Sequence, residues 1–318
     1  MATTNSLTTT YAGEFAGEYI SAALLSGVTI ENGGITVKPN VKFKETLKKV
    51  STDDIVKDAS CDFDPTSTLT ISEKVLQPEF QQVNLQLCKK DFVSDWEAIS
   101  MGYSAHHDLP AKFSDFLISH VAAKVAQKTE QNIWRGVTAT NGEFDGLTTL
   151  LAADENLPTG QELESSGVTI TSGNVIDKLG DIVDAIPSAL YGSEDLNIYV
   201  SQNIYKAYTR ALGGFGTSGL GAAGYRSEGN NQDIKPAFFD GVRVFMASGL
   251  SANTAIAAEK SNLFFGTGLL ADHNEVKVID MSDIDGSDNI RVVMRFTAGV
   301  QYGVVEDIVT FGFENTAN

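Results

Sequence analysis

Glycine spacing provides the first pattern that could support chemistry. Gly214, Gly216 and Gly219 match the G-x-G-x-x-G pattern of dinucleotide-binding loops, and a second match starts at Gly219. That function requires a strand before the loop and a helix after it, because the helix N-terminus faces the pyrophosphate. Here a helical pattern precedes the glycines and polar residues follow them. The segment is therefore predicted to be a flexible loop in which glycine supplies backbone freedom.

Acidic residues between Asp280 and Asp288 form the second pattern. A calcium-loop register places Asp283, Asp285 and Gly286 suitably, but it puts Met281 at the first ligand position and Val292 at the last. These two apolar residues cannot coordinate a cation. We predict an acidic hairpin connection, with weak surface cation binding as the alternative.

The remaining candidates predict no metal, cofactor or catalytic residue. His106, His107 and Asp108 are neighbours in sequence, and neighbouring side chains seldom converge on one ion, so a polar loop is predicted. The sequence contains no G-x-S-x-G elbow, H-E-x-x-H pair or phosphate loop. Cys61 and Cys88 are predicted to be free thiols of a protein made in a reducing cytoplasm.

Charge excludes several classes of partner. The 318 residues contain 41 Asp and Glu against 23 Lys and Arg, which gives a formal net charge of -18. Such a protein repels phosphate. If it contacts nucleic acid, it is expected to do so only as a wall, that is, as a surface that confines the nucleic acid without binding it tightly. No Lys or Arg precedes Lys38 and no apolar run approaches the length of a bilayer span, so no membrane partner is expected. The one concentration of positive charge consists of Lys38, Lys42, Lys44, Lys48 and Lys49.

Periodicity predicts the elements. Residues 14–25 have helical spacing, and residues 68–88 alternate apolar and polar positions on either side of Pro78, which predicts two extended strands that form a ribbon. Residues 110–135 carry an apolar stripe, with proline at the start and Gly136 after the end, which predicts one long helix. Further elements are predicted as strand 168–171, helix 175–186, strand 196–200, helix 201–212, and strands 242–246, 262–265, 276–279, 290–296 and 300–305.

The succession of these elements resembles a known family. The ribbon LTISEKVLQPEFQQVNLQL, the helix FSDFLISHVAAKVAQKTEQNIWRG and the following GLTTL resemble the major capsid proteins of tailed bacteriophages, whose fold is shared with herpesvirus capsid proteins and encapsulins. The resemblance departs at Gly241-Val242-Arg243-Val244, which lacks the proline often found there. It implies an α+β fold divided into an N-terminal arm (1–50), an extended β-hairpin loop (51–95), a peripheral domain with a spine helix (96–165 and 270–318, helix 110–135) and an α/β axial domain (166–269).

The resemblance also implies a function. The chain is expected to be a structural protein, not an enzyme, that assembles with itself as pentamers and hexamers into the icosahedral head shell around double-stranded DNA. No heptad pattern precedes Pro110, so either a separate scaffolding protein is expected, or the chain is numbered after removal of a scaffolding segment. A portal protein, a decoration protein and the packaged DNA are further expected partners. The expected location is the virion, after assembly in the host bacterial cytoplasm. An encapsulin-like shell protein and an α/β enzyme with an unrecognised site are the alternatives.

Three groups of residues are candidates for contacts between subunits. The ribbon is expected to lie over a neighbouring subunit, because its backbone and glutamines need partners. The glycine-rich segment is expected near the centre of a capsomer, and the lysines either pair with an acidic surface of the next subunit or form a solvated basic face. The candidate residues are Leu69, Ile71, Val75, Phe80, Val83 and Leu85 on the ribbon, Gly214, Gly216 and Gly219 in the loop, and Lys42, Lys44, Lys48 and Lys49 in the basic cluster.

Overall fold

The computed structural model describes residues 28–52, 68–88, 111–164, 167–213, 237–268 and 277–315, together with residues 55, 56, 58, 59 and 61. The helices are α1 (Val28–Glu31), α2 (Ala111–Arg135), α3 (Leu147–Ala152), α4 (Val175–Asp184), α5 (Gln202–Gly213) and α6 (Ser282–Asp285). The strands are β1 (Thr36–Lys38), β2 (Glu45–Thr52), β3 (Leu69–Leu76), β4 (Glu79–Cys88), β5 (Glu162–Leu163), β6 (Leu196–Val200), β7 (Ala237–Phe239), β8 (Val242–Met246), β9 (Ala255–Glu259), β10 (Leu263–Thr267), β11 (Lys277–Asp280), β12 (Asn289–Tyr302) and β13 (Val309–Phe311). This composition confirms the predicted α+β class. The predicted helix 14–25 and most of the glycine-rich segment lie outside the described residues.

The chain divides into two compact units. The larger unit comprises residues 27–79, 129–268 and 298–318, and the smaller unit comprises residues 1–26, 80–128 and 269–297.

A six-stranded sheet forms the centre of the larger unit. Its strand order is β5-β13-β9-β6-β8-β7, and α5 connects the parallel pair β6 and β8. All five residues of β6 are buried, as expected for a central strand with both faces covered. Helix α4 places Val175, Leu179, Ile182 and Val183 on one side, at the spacing of a helix that packs on a core. This side and α5 contribute to the same apolar core as Ile198.

Three aromatic rings pack against one another, at tilted angles, on the other face of β6. The Tyr199 ring lies 5.1 Å from the Trp134 ring and 5.4 Å from the Phe245 ring, measured between centroids. The Tyr199 hydroxyl donates to the Gly34 carbonyl oxygen at 2.5 Å. A Cβ on Gly34 would lie 2.7 Å from the Phe245 ring, so only glycine allows this approach. The packed rings and the hydrogen bond from Tyr199 to Gly34 therefore hold in place the segment that leads from α1 into β1.

A buried carboxylate holds α1 in place. Glu130 accepts hydrogen bonds from the Thr29 backbone N–H at 3.1 Å and from Thr29 Oγ1 at 2.5 Å. Trp134 Nε1 donates to the same Thr29 Oγ1 at 2.9 Å. Burial raises the pKa of Glu130, while the hydrogen bonds from Thr29 act in the opposite direction. The start of the described chain is thereby tied to the last two turns of α2.

The described residues of the smaller unit combine the first part of α2 and the short α6 with segments of the three strands β4, β11 and β12. β11 pairs antiparallel with the first part of β12, and β4 also pairs with β12. Val121 of α2 is buried against Val292 of β12. The partly buried residues Val83, Leu87, Val125 and Val278 pack around this pair. The apolar stripe predicted for the long helix thus faces a sheet at Val121 and Val125, while the side chains of Phe113, Phe116 and Leu117 lie outside the described set.

The predicted pairing of the ribbon is wrong, although both of its strands exist. β3 pairs antiparallel with β2, and β4 pairs with β12. The chain cannot fold back as a hairpin between β3 and β4, because it is packed there: Leu76 is fully buried, and a Cβ on Gly299 would lie 2.8 Å from the Gln77 carbonyl oxygen. The true ribbon therefore consists of residues 45–52 and 69–76, and its first strand contains two lysines of the basic cluster.

Two smaller predictions also need correction. Residues 168–171 form no strand; instead the Ile170 N–H donates to Asn253 Oδ1 at 3.0 Å, which satisfies the backbone without a neighbouring strand. The predicted strands 290–296 and 300–305 fall on one continuous strand, β12, which ends at Tyr302, so residues 303–305 are not in a strand.

We expect opposite effects from two glycine substitutions. Gly180→Ala should stabilise the protein by up to about 1 kcal/mol, because Gly180 lies inside α4 and an added Cβ meets nothing within 4 Å. Gly249→Ala should destabilise it by about 2 kcal/mol, because the Cβ would lie 2.1 Å from the Glu130 carbonyl oxygen. Urea unfolding of both variants measures the two changes. Equal effects would contradict the packing described for Gly249.

Candidate functional site

The motifs that suggested chemistry form no reactive centre in the part of the chain that the structure describes. Within it, no group of three or more His, Cys, Asp or Glu side chains could hold a metal ion. The acidic segment does connect β11 to β12, and its carboxylates at Asp280 and Asp285 accept hydrogen bonds from Ser282 and Ser287. His106, His107, Gly214, Gly216 and Gly219 lie outside the described residues.

None of the helices in the described ranges combines the length and the apolar character needed to cross a membrane.

The ribbon of β2 and β3 is the most unusual surface of the larger unit. Its register pairs Glu45 with Leu76 at one end and Thr52 with Leu69 at the other. Because side chains alternate along a strand, each face of the ribbon receives every second residue of both strands. One face, here called the anchored face, carries Glu45, Leu47, Lys49, Ser51, Thr70, Ser72, Lys74 and Leu76. The other, here called the apolar face, carries Thr46, Lys48, Val50, Thr52, Leu69, Ile71, Glu73 and Val75.

Four large aliphatic side chains of the apolar face are open to solvent. Leu69 and Ile71 are each 63% exposed, Val50 is 58% exposed and Val75 is 41% exposed. Their burial against a partner would be favourable at about 25 cal/mol per Å² of apolar surface. Lys48 lies directly opposite Glu73 on the same face, so that rung carries no net charge. An isolated two-stranded ribbon with such a face needs a partner surface to be stable in water.

A first ion pair anchors β3 to the body of its own unit. The Lys74 ammonium donates to Asp154 Oδ2 and lies 3.8 Å from the centre of the Tyr302 ring. The Tyr302 hydroxyl donates to the same Asp154 oxygen at 2.6 Å. Burial by itself would raise the pKa of Asp154, but the hydrogen bonds from Lys74 and Tyr302 outweigh it and hold the pKa far below its usual range. Burial and the bond to Asp154 raise the pKa of Tyr302.

A second ion pair anchors β2. Lys49 Nζ donates to Glu306 Oε1 at 2.5 Å. Burial would raise the pKa of Glu306, but the hydrogen bond from Lys49 lowers it below its usual value. The neighbouring Asp307 has a raised pKa because it is partly buried near the carboxylates of Glu259 and Glu306. Lys49 therefore also offsets repulsion within an acidic group at the base of the ribbon.

Backbone and apolar contacts complete the base. Gln301 Nε2 donates to the Val75 carbonyl oxygen at 3.1 Å. Leu76 is fully buried, and a Cβ on Gly266 would lie 2.9 Å from its Cδ2 atom. The ribbon is thus held by its anchored face at one end, and its apolar face is left uncovered by the described residues of the unit.

The six residues predicted as contacts on the ribbon lie on two strands that do not pair with each other, β3 and β4. Leu69, Ile71 and Val75 lie on the apolar face of the ribbon. Phe80, Val83 and Leu85 lie on β4; Phe80 is 82% exposed, whereas Val83 packs within the smaller unit. Sequence reasoning missed β2, including Val50, because ETLKKVST alternates too weakly to mark a half-buried strand. It also missed Asp154, whose role depends on residues distant in sequence.

The predicted basic cluster contains lysines in two different situations. Lys38 pairs with Glu45 and Lys49 pairs with Glu306 of the same chain. Lys42, Lys44 and Lys48 are exposed and form no ion pair with the described residues. Within the basic cluster, these three are the lysines that the described residues leave without an ion pair.

Comparison with known proteins identifies the fold. No protein-family model matches the chain, and no curated protein matches it. Solved structures do match it, and one is the capsid of a native GTA particle, with a TM-score of 0.62, 12% identity and 94% of each chain covered. A chain of Mycobacterium phage Adephagia matches with a TM-score of 0.59 and 13% identity, over 93% of this chain and 92% of that one. The capsid of cyanophage P-SCSP1u matches with a TM-score of 0.57 and 13% identity, over 96% of this chain and 93% of that one. The chain therefore has the fold of phage capsid proteins, which confirms the predicted fold.

The Lys74 anchor should be strong, and its strength should depend on pH. We expect Asp154→Asn to lower the free energy of unfolding by about 2 kcal/mol at neutral pH, because the charged acceptor of the partly exposed Lys74 and the buried Tyr302 is lost. A lowered folded-state pKa stabilises the fold above the usual Asp value of 3.8 and loses its effect as the pH falls below it. The difference between wild type and variant should therefore shrink in that acid range.

Urea unfolding at several pH values measures this difference, and Glu306→Gln is the matched control. Glu306 is 46% exposed, so its pair with Lys49 should contribute less than about 1 kcal/mol and should weaken in salt. Equal losses from both substitutions would contradict the distinction between the two anchors.

Proposed function

We propose that this chain is the major capsid protein of a tailed phage, which assembles with copies of itself into the icosahedral shell around double-stranded DNA. The observation that carries the proposal is the fold shared with the GTA and cyanophage capsids over more than nine tenths of both chains. The sequence identities of 12% and 13% mean that the shared fold, and not sequence, is the link. The role is structural and requires no catalytic group or cofactor.

The ribbon supports this proposal from the chemistry of the chain itself. A protein that functions alone gains nothing from four exposed aliphatic side chains on a two-stranded extension. A subunit that must contact several copies of itself needs such surfaces, because heterologous contacts build rings and larger closed assemblies. The ribbon is therefore assigned the role of the extended loop that reaches a neighbouring subunit, with bounds 45–76 in place of 51–95.

We also propose roles for the other parts of the chain. The six-stranded sheet with α4 and α5 is assigned to the axial domain, and it includes β5 and β13, which the sequence-based boundaries gave to the peripheral domain. The long helix α2 is assigned as the spine of the peripheral domain, and the chain before β1 as the arm. Gly214, Gly216 and Gly219 remain proposed contacts near the capsomer centre.

The partners follow from the same role. Pentamers and hexamers of this chain, a separate scaffolding protein, a portal protein, a decoration protein and packaged DNA are the proposed partners, in a virion assembled in the host bacterial cytoplasm. The net charge of -18 fits a wall that does not bind DNA tightly. An encapsulin-like shell is the alternative within the fold, and the contents of purified shells distinguish the two: DNA for a phage head, cargo protein for an encapsulin.

Truncation of the ribbon tests the proposed role. Replacing residues 50–71 by Asn-Gly joins Lys49 to Ser72, which are cross-strand neighbours, through a turn suited to a hairpin. Both anchoring lysines stay in place, so the variant should remain folded and soluble but should form no shells. Negative-stain microscopy and thermal unfolding measure the two properties. Shells of normal size from this variant would refute the role of the ribbon.

Charge reversal tests the available lysines. We expect the triple substitution of Lys42, Lys44 and Lys48 by Glu to shift assembly to higher salt, because repulsion from an acidic neighbour must then be screened. Lys49 is left unchanged because it pairs with Glu306. The control reverses Arg135, Lys206 and Arg210, which are also exposed and give the same change in net charge. Identical salt dependence of both variants would remove the proposed contact.

A further inference from the structure

The two faces of the ribbon differ in chemistry, and the anchors determine which of them is turned away from the body. Lys49 and Lys74 both extend from the anchored face, and they bind Glu306 and Asp154 of their own unit. Two attachments on one face fix the rotation of the ribbon about its long axis. Val50, Leu69, Ile71 and Val75 consequently point away from the groups that hold the base.

We propose that the apolar face of the ribbon, and not its anchored face, is the surface that binds a second copy of this chain. This inference rests on the proposed self-assembly, and it adds the face and the residues through which the ribbon acts. The apolar face offers aliphatic side chains on three of its four rungs, Thr46–Val75, Val50–Ile71 and Thr52–Leu69. The distal part of the anchored face offers only Ser51, Thr70 and Ser72.

Charge favours another copy of this chain as the occupant. The chain carries a net charge of -18, so a sister molecule is an acidic partner. On the apolar face Lys48 and Glu73 cancel at one rung, and the exposed Lys42 and Lys44 precede the ribbon, so the paired strands and the residues before them do not share the acidic excess of the chain. A nucleic acid would need unopposed cations on the outward face, and its phosphates gain nothing from aliphatic side chains. A protein surface with apolar and acidic groups fits both features.

Two adjacent residues of β3 allow a matched test. Ile71 and Thr70 are β-branched, exposed and consecutive, but they lie on opposite faces. Ile71→Glu and Thr70→Glu therefore add the same charge at nearly the same place, on the apolar and the anchored face respectively. Neither side chain contributes to the buried core, so both variants should keep the unfolding midpoint of the wild type. Ile71→Thr is the milder variant, because it retains the branched shape and removes only apolar surface.

Assembly of the purified full-length chain, followed by sedimentation and electron microscopy, is the measurement. We expect Thr70→Glu to assemble as the wild type does, Ile71→Glu to raise the concentration needed for assembly at least tenfold, and Ile71→Thr to fall between them. Assembly of Ile71→Glu at the wild-type concentration, or equal inhibition by both charged variants, overturns the assignment of the face. A wild-type chain that forms no rings, sheets or shells, either alone or together with its scaffolding protein, overturns the proposed function and this inference with it.

Discussion

The Lys74 ammonium, shared between the Asp154 carboxylate and the Tyr302 ring, is the contact on which the candidate surface depends. It joins a two-stranded extension, which has no core of its own, to residues of α3, its following turn and β12. Asp154 is less exposed than Glu306 and also accepts a hydrogen bond from Tyr302, so we expect this contact to be less sensitive to salt than the pair between Lys49 and Glu306. A surface that is to meet a partner in one orientation needs at least one attachment of this kind.

Much of the fold could be predicted from the sequence because it depends on local patterns. The stripe on α2, the run LNIYV of β6 and the helix that starts at Val175 follow hydrophobic periodicity, and they appear in the structure within a few residues of their predicted bounds. The succession of elements was sufficient to identify the capsid fold, which the comparisons then confirmed. Gly136 also follows the long helix as predicted, although its reason is steric: a Cβ there would lie 2.1 Å from the Phe144 carbonyl oxygen.

The surface itself was less predictable, because strand pairing and salt bridges connect residues that are far apart in the chain. Residues 69–76 and 79–88 are neighbours in sequence, and a hairpin between them was the natural expectation, but Leu76 and Pro78 are buried and the two strands pair with different partners. The partner of β3 is β2, whose lysines conceal its alternation. The roles of Asp154 and Glu306 depend on tertiary contacts, and neither residue lies in a recognisable motif.

The attachment of the ribbon on one face has a mechanical consequence. A strip clamped at two points along the same side resists torsion as well as bending, whereas a strip clamped at one point swivels. A pull at the far end of β2 and β3 would therefore act as a torque on β12 and on the turns that hold Asp154 and Glu306, which lead into the six-stranded sheet through β5 and β13 respectively. Tension between linked molecules would in this way reach the interior of each one.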